Sequence, residues 1–168
     1  MARAVSVVMP ARDAEETIGG VLEALGRQDP PLAEVIVVDD ASRDGTAAAA
    51  ERHGAKVVRL ERPRYSGGAR NRGWEEATGD AVVFLDADAV PAEGWSAGLQ
   101  KALDEFPGAV VSCARTFTSR TRWGWVAHLQ FGTPYLPQGE PGERPLALLV
   151  LPRRPARRAA ALARELRR

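Results

Sequence analysis

The 168-residue chain has almost no cysteine and no long apolar run in its final third. Cys113 is the only cysteine, which excludes an intrachain disulfide and any multi-cysteine metal site. The longest apolar run of the final third, Leu146 to Leu151, has six residues, whereas a membrane-spanning helix needs about 20. The first ten residues lack the apolar region of a signal peptide. We therefore expect no transmembrane helix and a cytoplasmic location.

A strong excess of charge of either sign is also missing. The chain has 23 basic and 22 acidic residues, with 45% apolar and 27% charged residues, as in an ordinary one-domain globular protein. The exception is the segment from Pro152 to Arg168, which has seven arginines and one glutamate. Such a basic tail can contact an anionic membrane surface, at the inner face of the membrane, or can simply be solvated. The remaining arginines are scattered along the chain, so we expect no nucleic-acid partner.

Short apolar runs alternate with helix-like segments over the first two-thirds of the chain. Continuous apolar strands between helices predict an α/β fold with a mainly parallel sheet covered on both faces. We expect Asp13 to cap the first helix. After Thr116 no regular period is visible, and residues 132–145 are rich in glycine and proline. The predicted strands are Val5–Met9, Val35–Val38, Lys56–Leu60, Ala81–Leu85 and 109–114, and the predicted helices are Glu15–Gln28, Thr46–His53, Ala69–Thr78 and 95–106.

An acidic pair, Asp86 and Asp88, directly follows the fourth predicted strand. The carboxyl ends of parallel strands lie along one edge of a sheet, where ligands bind. Two carboxylates there can hold a hard divalent cation that keeps positions open for phosphate oxygens. A solvated acidic turn is the other interpretation of this pair.

A second acidic pair, Asp39 and Asp40, ends the second predicted strand. A carboxylate at this edge can accept a hydrogen bond from a base N–H or from a ribose hydroxyl. The residues that follow are ordinary turn and helix-capping residues, which need no ligand to explain them.

A glycine pair, Gly67 and Gly68, precedes the third predicted helix. Backbone N–H groups at such a position can bind phosphate, with Arg70 as a charge partner. Glycine pairs also form ordinary turns, so the segment alone is a weak signal.

These motifs occur in a specific order along the chain. Together they resemble the nucleotide-sugar-binding half of family 2 glycosyltransferases, and the resemblance covers Val5 to Phe106. It implies a Rossmann-like GT-A fold, a three-layer α/β/α sandwich, and inverting transfer from a nucleotide-diphosphate sugar. The four segments that carry it are Val5–Glu16, similar to the family's first strand and Pro-x-x-Asn-Glu turn; Val37–Thr46, similar to Val-Val-Asp-Asp-x-Ser-x-Asp-Gly-Thr; Gly67–Gly73, similar to Gly-x-x-x-Ala-Arg-Asn-x-Gly; and Phe84–Asp88, similar to the D-x-D segment.

The resemblance also assigns expected roles to individual residues. It implies that Asp86 contacts the ribose or a metal-bound water, and that Asp88 ligates an Mg²⁺ or Mn²⁺ ion bridging the diphosphate. The expected metal ligands are thus Asp88 and Asp86. The expected nucleotide-sugar-binding residues are Pro10 and Arg12 lining the base pocket, Asp40 holding the base with Asp39 beside it, Gly68 and Arg70 near the base or diphosphate, and Asp86.

The carboxyl third departs from the family's pattern. These enzymes usually carry an acceptor-binding half with an Asp or Glu that deprotonates the acceptor hydroxyl, commonly in a Glu-Asp pair that is absent here. Glu140 and Glu143 are the candidates for this base, although an exposed charged loop also explains them.

The resemblance therefore divides the chain into three expected parts. Residues 1–116 are the nucleotide-sugar-binding half, residues 117–151 a short irregular acceptor-side segment, and residues 152–168 the Arg-rich tail. We expect transfer to a glycan, lipid-linked or small-molecule acceptor. The alternative is a noncatalytic nucleotide-sugar-binding remnant without a catalytic base.

Overall fold

The computed structural model describes residues 3–105, 111–115 and 144–152. Within these ranges, no helix has the length and apolar character needed to cross a membrane. The strands are β1 (Val5–Ala11), β2 (Glu34–Asp39), β3 (Lys56–Arg59), β4 (Ala81–Phe84), β5 (Val111–Arg115) and β6 (Arg144–Pro152), and the helices are α1 (Glu15–Gly26), α2 (Thr46–Arg52), α3 (Tyr65–Glu76) and α4 (Trp95–Glu105).

The strands form one sheet in the order β3-β2-β1-β4-β6-β5. The first four in this order are parallel, whereas β6 is antiparallel to both β4 and β5. Strand β1 is central, with β2 on one side and β4 on the other. The mainly parallel α/β sheet expected from the sequence is therefore confirmed.

Alternate residues of the central strands pack on opposite faces of the sheet. On one face, Val7 and Met9 of β1 are fully buried in a cluster with apolar residues of α1, α2 and α4. On the other face, Val8 packs with Ala69 and with residues around α3. Because both faces are covered, the strands have the continuous apolar sequences typical of buried parallel sheets. The three layers are thus helix, sheet and helix.

Three details differ from the sequence expectations. Residues 144–152, expected to lie in the irregular segment and the start of the tail, instead form β6 within the sheet. Helix α3 begins at Tyr65, so Gly68 lies within its first turn rather than before it. Asp13 does not cap α1, because Ala14 is the N-cap residue and makes no side-chain capping bond.

Candidate functional site

The predicted polar residues gather at one edge of the sheet, where the parallel strands end. The strand order changes direction between β1 and β4, and such a switch point forms a crevice where ligands bind in open α/β sheets. The residues within or directly after the carboxyl ends of β1, β2 and β4 are Pro10, Arg12, Asp39, Asp40, Asp86 and Asp88.

The two carboxylates at the carboxyl end of β2, Asp39 and Asp40, are buried. Asp39 and Asp40 keep only 7% and 4% of their surface exposed. One oxygen of Asp39 accepts a hydrogen bond from the Ser42 N–H at 3.1 Å, and one oxygen of Asp40 accepts the Arg64 N–H at 2.6 Å. Within the described ranges, the second oxygen of each carboxylate has no hydrogen-bond donor, and neither carboxylate has a cationic partner. Burying a carboxylate without full pairing costs free energy, so both can accept donors from a ligand.

The two carboxylates that follow β4 have different surroundings. Asp86 forms an ion pair with Arg70, with 2.8 Å between Oδ1 and Nη2. Arg70 also donates to the Ser66 hydroxyl, which lies one turn earlier on α3. Asp88 is exposed and forms no ion pair or hydrogen bond with any described residue. The pair therefore offers one carboxylate held by α3 and one that has no partner in the described part of the chain.

The carboxylates at this edge fit a hard cation only when a bound ligand supplies further oxygen atoms to the metal. In the part of the chain that the structure describes, no group of three or more His, Cys, Asp or Glu side chains can hold a metal ion. Mg²⁺ is commonly bound by one or two carboxylates together with substrate phosphates and water. Asp88 and the second oxygen of Asp86 fit that type of site, in which a diphosphate supplies the remaining oxygens.

Helix α3 contributes the third candidate motif. Its first turn contains Gly68, at which an added Cβ would lie 2.6 Å from the Arg64 Cβ. Tyr65 begins the helix with a left-handed backbone (φ 59°) and is 76% exposed. The α3 start is thus fixed to Asp40 through the Arg64 N–H and to Asp86 through Arg70.

The sequence did not reveal how the loops after β1 and β2 are joined. Asp13 and Ala14 donate backbone N–H groups to the hydroxyls of Ser42 and Thr46, at 3.0 and 2.8 Å. In the other direction, the Arg43 N–H donates to Asp13 at 2.7 Å. The turn-forming residues around Asp44 were visible in the sequence, but their partners about thirty residues away were not.

The candidate bases Glu140 and Glu143 lie outside the described residues. The strand ends that flank them are described, however. Val150 of β6 pairs with both Val83 and Val111, whereas Arg144 pairs with Arg115 beyond the end of β4. The chain therefore leaves β5 and enters β6 at the same edge as the carboxylates.

Comparison with known proteins agrees with this arrangement. The family model for "Glycosyl transferase family 2" matches residues 6–159. An uncharacterized glycosyltransferase from Mycobacterium bovis is 39% identical over 127 residues, which are 75% of this chain and 55% of the relative. A mannosyltransferase from Pyrobaculum calidifontis in complex with GDP-Man and Mn²⁺ is 26% identical, with a TM-score of 0.62, over 90% of this chain and 45% of that protein.

A second solved structure is also similar to this chain. S. aureus TarS, residues 1–349, in complex with UDP-GlcNAc is 30% identical, with a TM-score of 0.59, over 71% of this chain and 36% of that one. The expected Rossmann-like GT-A fold is confirmed by these neighbours. The chain spans between 25% and 55% of the length of the curated relatives it matches.

Proposed function

Since this chain belongs to glycosyl transferase family 2, we propose that it binds a nucleotide-diphosphate sugar at the carboxyl edge of its parallel sheet. The transfer we propose inverts the anomeric centre and depends on a divalent cation. The nucleotide sugars bound by two of the similar structures, GDP-Man and UDP-GlcNAc, support the choice of donor class.

The buried pair Asp39 and Asp40 is the observation that carries this proposal. Each carboxylate has one oxygen bonded to a backbone N–H and a second oxygen without a donor among the described residues. A nucleobase N–H or a ribose hydroxyl would supply the missing donor. We assign Asp40, the more buried of the two, to the base, with Asp39 beside it. Pro10 and Arg12 are assigned to the lining of the base pocket.

Asp88 and Asp86 are assigned to the cation, either Mg²⁺ or Mn²⁺. When bound, such an ion would neutralise negative charge on the diphosphate leaving group. Arg70 places a positive charge beside this site, because its Nη2 lies 2.8 Å from Asp86 Oδ1. We assign Arg70 to contact with a diphosphate oxygen or the base. Gly68 is assigned to the same part of the nucleotide-sugar site, where its backbone lies near Arg70.

The strand topology suggests where the acceptor-side base lies. Because β5 and β6 meet beyond the end of β4, the chain between them starts and finishes beside the donor edge. Glu143 directly precedes Arg144, the first residue of β6. We assign the base that deprotonates the acceptor hydroxyl to Glu143 or Glu140.

Calorimetric titration with UDP, GDP and dTDP, each with Mn²⁺ and with EDTA, tests the donor site. We expect one nucleotide to bind, and only with the metal. Absence of binding to all three by the folded chain would contradict the proposal. Binding without turnover of any nucleotide sugar would instead favour the noncatalytic alternative.

The metal assignment makes a specific prediction for Asp88→Ala. This side chain is exposed and unpaired among the described residues, so its loss should leave stability within about 0.5 kcal/mol of wild type. Metal-dependent nucleotide affinity should disappear in calorimetry. Asp104→Ala is the matched control, because Asp104 pairs with Arg3 near the opposite edge of the sheet. Unchanged affinity in Asp88→Ala would remove Asp88 from the site.

A further inference from the structure

Helices α1 and α2 begin at residues whose own side chains do not cap the helix. Their N-cap residues, Ala14 and Gly45, make no side-chain capping bond. Unsatisfied N–H groups at a helix start are normally bonded by the N-cap side chain or by water. Here each helix start is bonded by side chains from the other helix start, and the α2 start is also bonded by Asp44, which directly precedes Gly45.

Two acidic side chains make the reciprocal part of this arrangement. Asp44 accepts the Glu15 N–H at 3.1 Å and the Thr46 N–H at 3.0 Å. Glu15 in turn accepts the Gly45 N–H at 2.8 Å. The hydroxyl of Thr46 also donates to Asp44, and this bond leads the interactions that lower the Asp44 pKa. We call the residues Asp13, Glu15, Ser42, Asp44 and Thr46 the loop clasp.

The loop clasp is continuous with the candidate nucleotide site. Ser42 donates its N–H to Asp39 and accepts the Asp13 N–H on its hydroxyl, so a single residue connects the buried carboxylate to the loop that carries Arg12. Each loop also contains a non-glycine residue with a left-handed backbone, Asp13 at φ 49° and Ala41 at φ 57°. Such conformations are unfavourable and persist when surrounding bonds hold them.

We propose that the loop clasp sets the position of the nucleotide-binding residues, and that Asp44 and Glu15 are positioning residues for Asp39 and Arg12. This inference rests on the proposed function, because its readout is nucleotide affinity. A binding site held in its bound geometry before the ligand arrives loses less entropy on binding. Loosening the clasp should therefore weaken nucleotide binding even in molecules that remain folded.

Three variants test the proposal on the full chain. Asp44→Ala removes all three bonds to that carboxylate, and Asp44→Asn keeps one acceptor oxygen. Gly45→Ala would place a Cβ 2.3 Å from Glu15 Oε1, so the Glu15 carboxylate must leave its bond to the Gly45 N–H. The control is Gly20→Ala on α1, where an added Cβ has no heavy atom within 4 Å.

Affinity for the nucleotide that binds wild type is measured by calorimetry with Mn²⁺, well below each variant's melting temperature. We expect about tenfold weaker binding in Asp44→Ala, a smaller loss in Asp44→Asn and in Gly45→Ala, and no change in Gly20→Ala. In an Asp39→Asn background the effect of Asp44→Ala should shrink, because the clasp acts through Asp39.

Three results would overturn the inference. If Asp44→Ala lowers the melting temperature but binds as tightly as wild type, the clasp serves stability alone, and the proposed function stands. If the losses in Asp44→Ala and Asp39→Asn are simply additive, Asp44 does not act through Asp39. Failure of wild type to bind any nucleotide would overturn the proposed function together with this inference.

Discussion

At the scale of single residues, Glu34 joins three segments at the amino edge of the sheet. Its Oε1 accepts the Ser6 hydroxyl at 2.7 Å, the Thr78 N–H at 2.6 Å and the Thr78 hydroxyl at 2.7 Å. Burial raises the pKa of this carboxyl, but the bonds from Ser6 and Thr78 and the charge of Lys56 outweigh burial and hold the pKa below 4.5. The carboxylate form is therefore the one that the folded chain stabilises.

This lowered pKa fixes the sign of a pH dependence. The contribution of Glu34 to stability is complete above the unfolded-state value of 4.5 and is lost as pH falls through the lower folded-state value. We expect Glu34→Gln to lose about 1 kcal/mol at neutral pH and to show a smaller acid-induced decrease than wild type. Urea unfolding of both proteins at neutral pH and below 4.5 measures the difference. If the free energy of unfolding falls equally in both proteins as the pH is lowered, this prediction is wrong.

At the scale of elements, the close packing of α3 on the sheet depends on Gly73. A Cβ built at this position would lie 2.2 Å from Val8 Cγ1 and 3.0 Å from Val38 Cγ2. Both valines are fully buried within the sheet, so neither can move away freely. Helix α3 carries Arg70, and its distance from the sheet therefore decides where that guanidinium lies.

Gly73→Ala should destabilise the chain by about 1–3 kcal/mol through overpacking. Gly67→Ala on the same helix is the control, because no heavy atom lies within 4 Å of the added Cβ. The control should gain up to about 1 kcal/mol from the better helix propensity of alanine. Thermal or urea unfolding distinguishes the two variants, and equal stability of both would refute this packing argument.

The elements also show what the sequence could and could not predict. Strands β1 to β4 were predictable because each contains adjacent apolar residues followed by polar ones, although β3 has only the pair Val57 and Val58. Strand β6 was missed because Pro145 and Pro152 lie near its two ends, and its place between β4 and β5 depends on long-range pairing. The capping role of Asp13 was wrong because its side chain accepts the Arg43 N–H from another loop.

The candidate site was predictable to a similar degree. The acidic pairs could be assigned to one edge, since parallel strands end together. The burial of Asp39 and Asp40 and the ion pair of Asp86 with Arg70 depend on α3 and on neighbouring loops, which sequence spacing does not reveal. The roles assigned to these residues remain predictions.

At the scale of the whole molecule, a ligand at the donor edge would contact loops that follow several strands. Binding to the folded state alone stabilises it by about 2.7 kcal/mol when the ligand is at 100 times its Kd. We therefore expect the nucleotide with Mn²⁺ to raise the melting temperature by several degrees, measured by thermal denaturation. Asp40→Asn should lose most of this shift. An equal shift in that variant would place the ligand elsewhere.

The loop clasp also has a consequence for folding. Its bonds between the two helix starts join residues 29 to 32 positions apart in the chain. During synthesis, the start of α1 cannot gain these bonds until Thr46 has left the ribosome. Contacts between distant residues form late, because the intervening chain must first be ordered. The two helix starts are therefore completed together, once the chain as far as Thr46 is available.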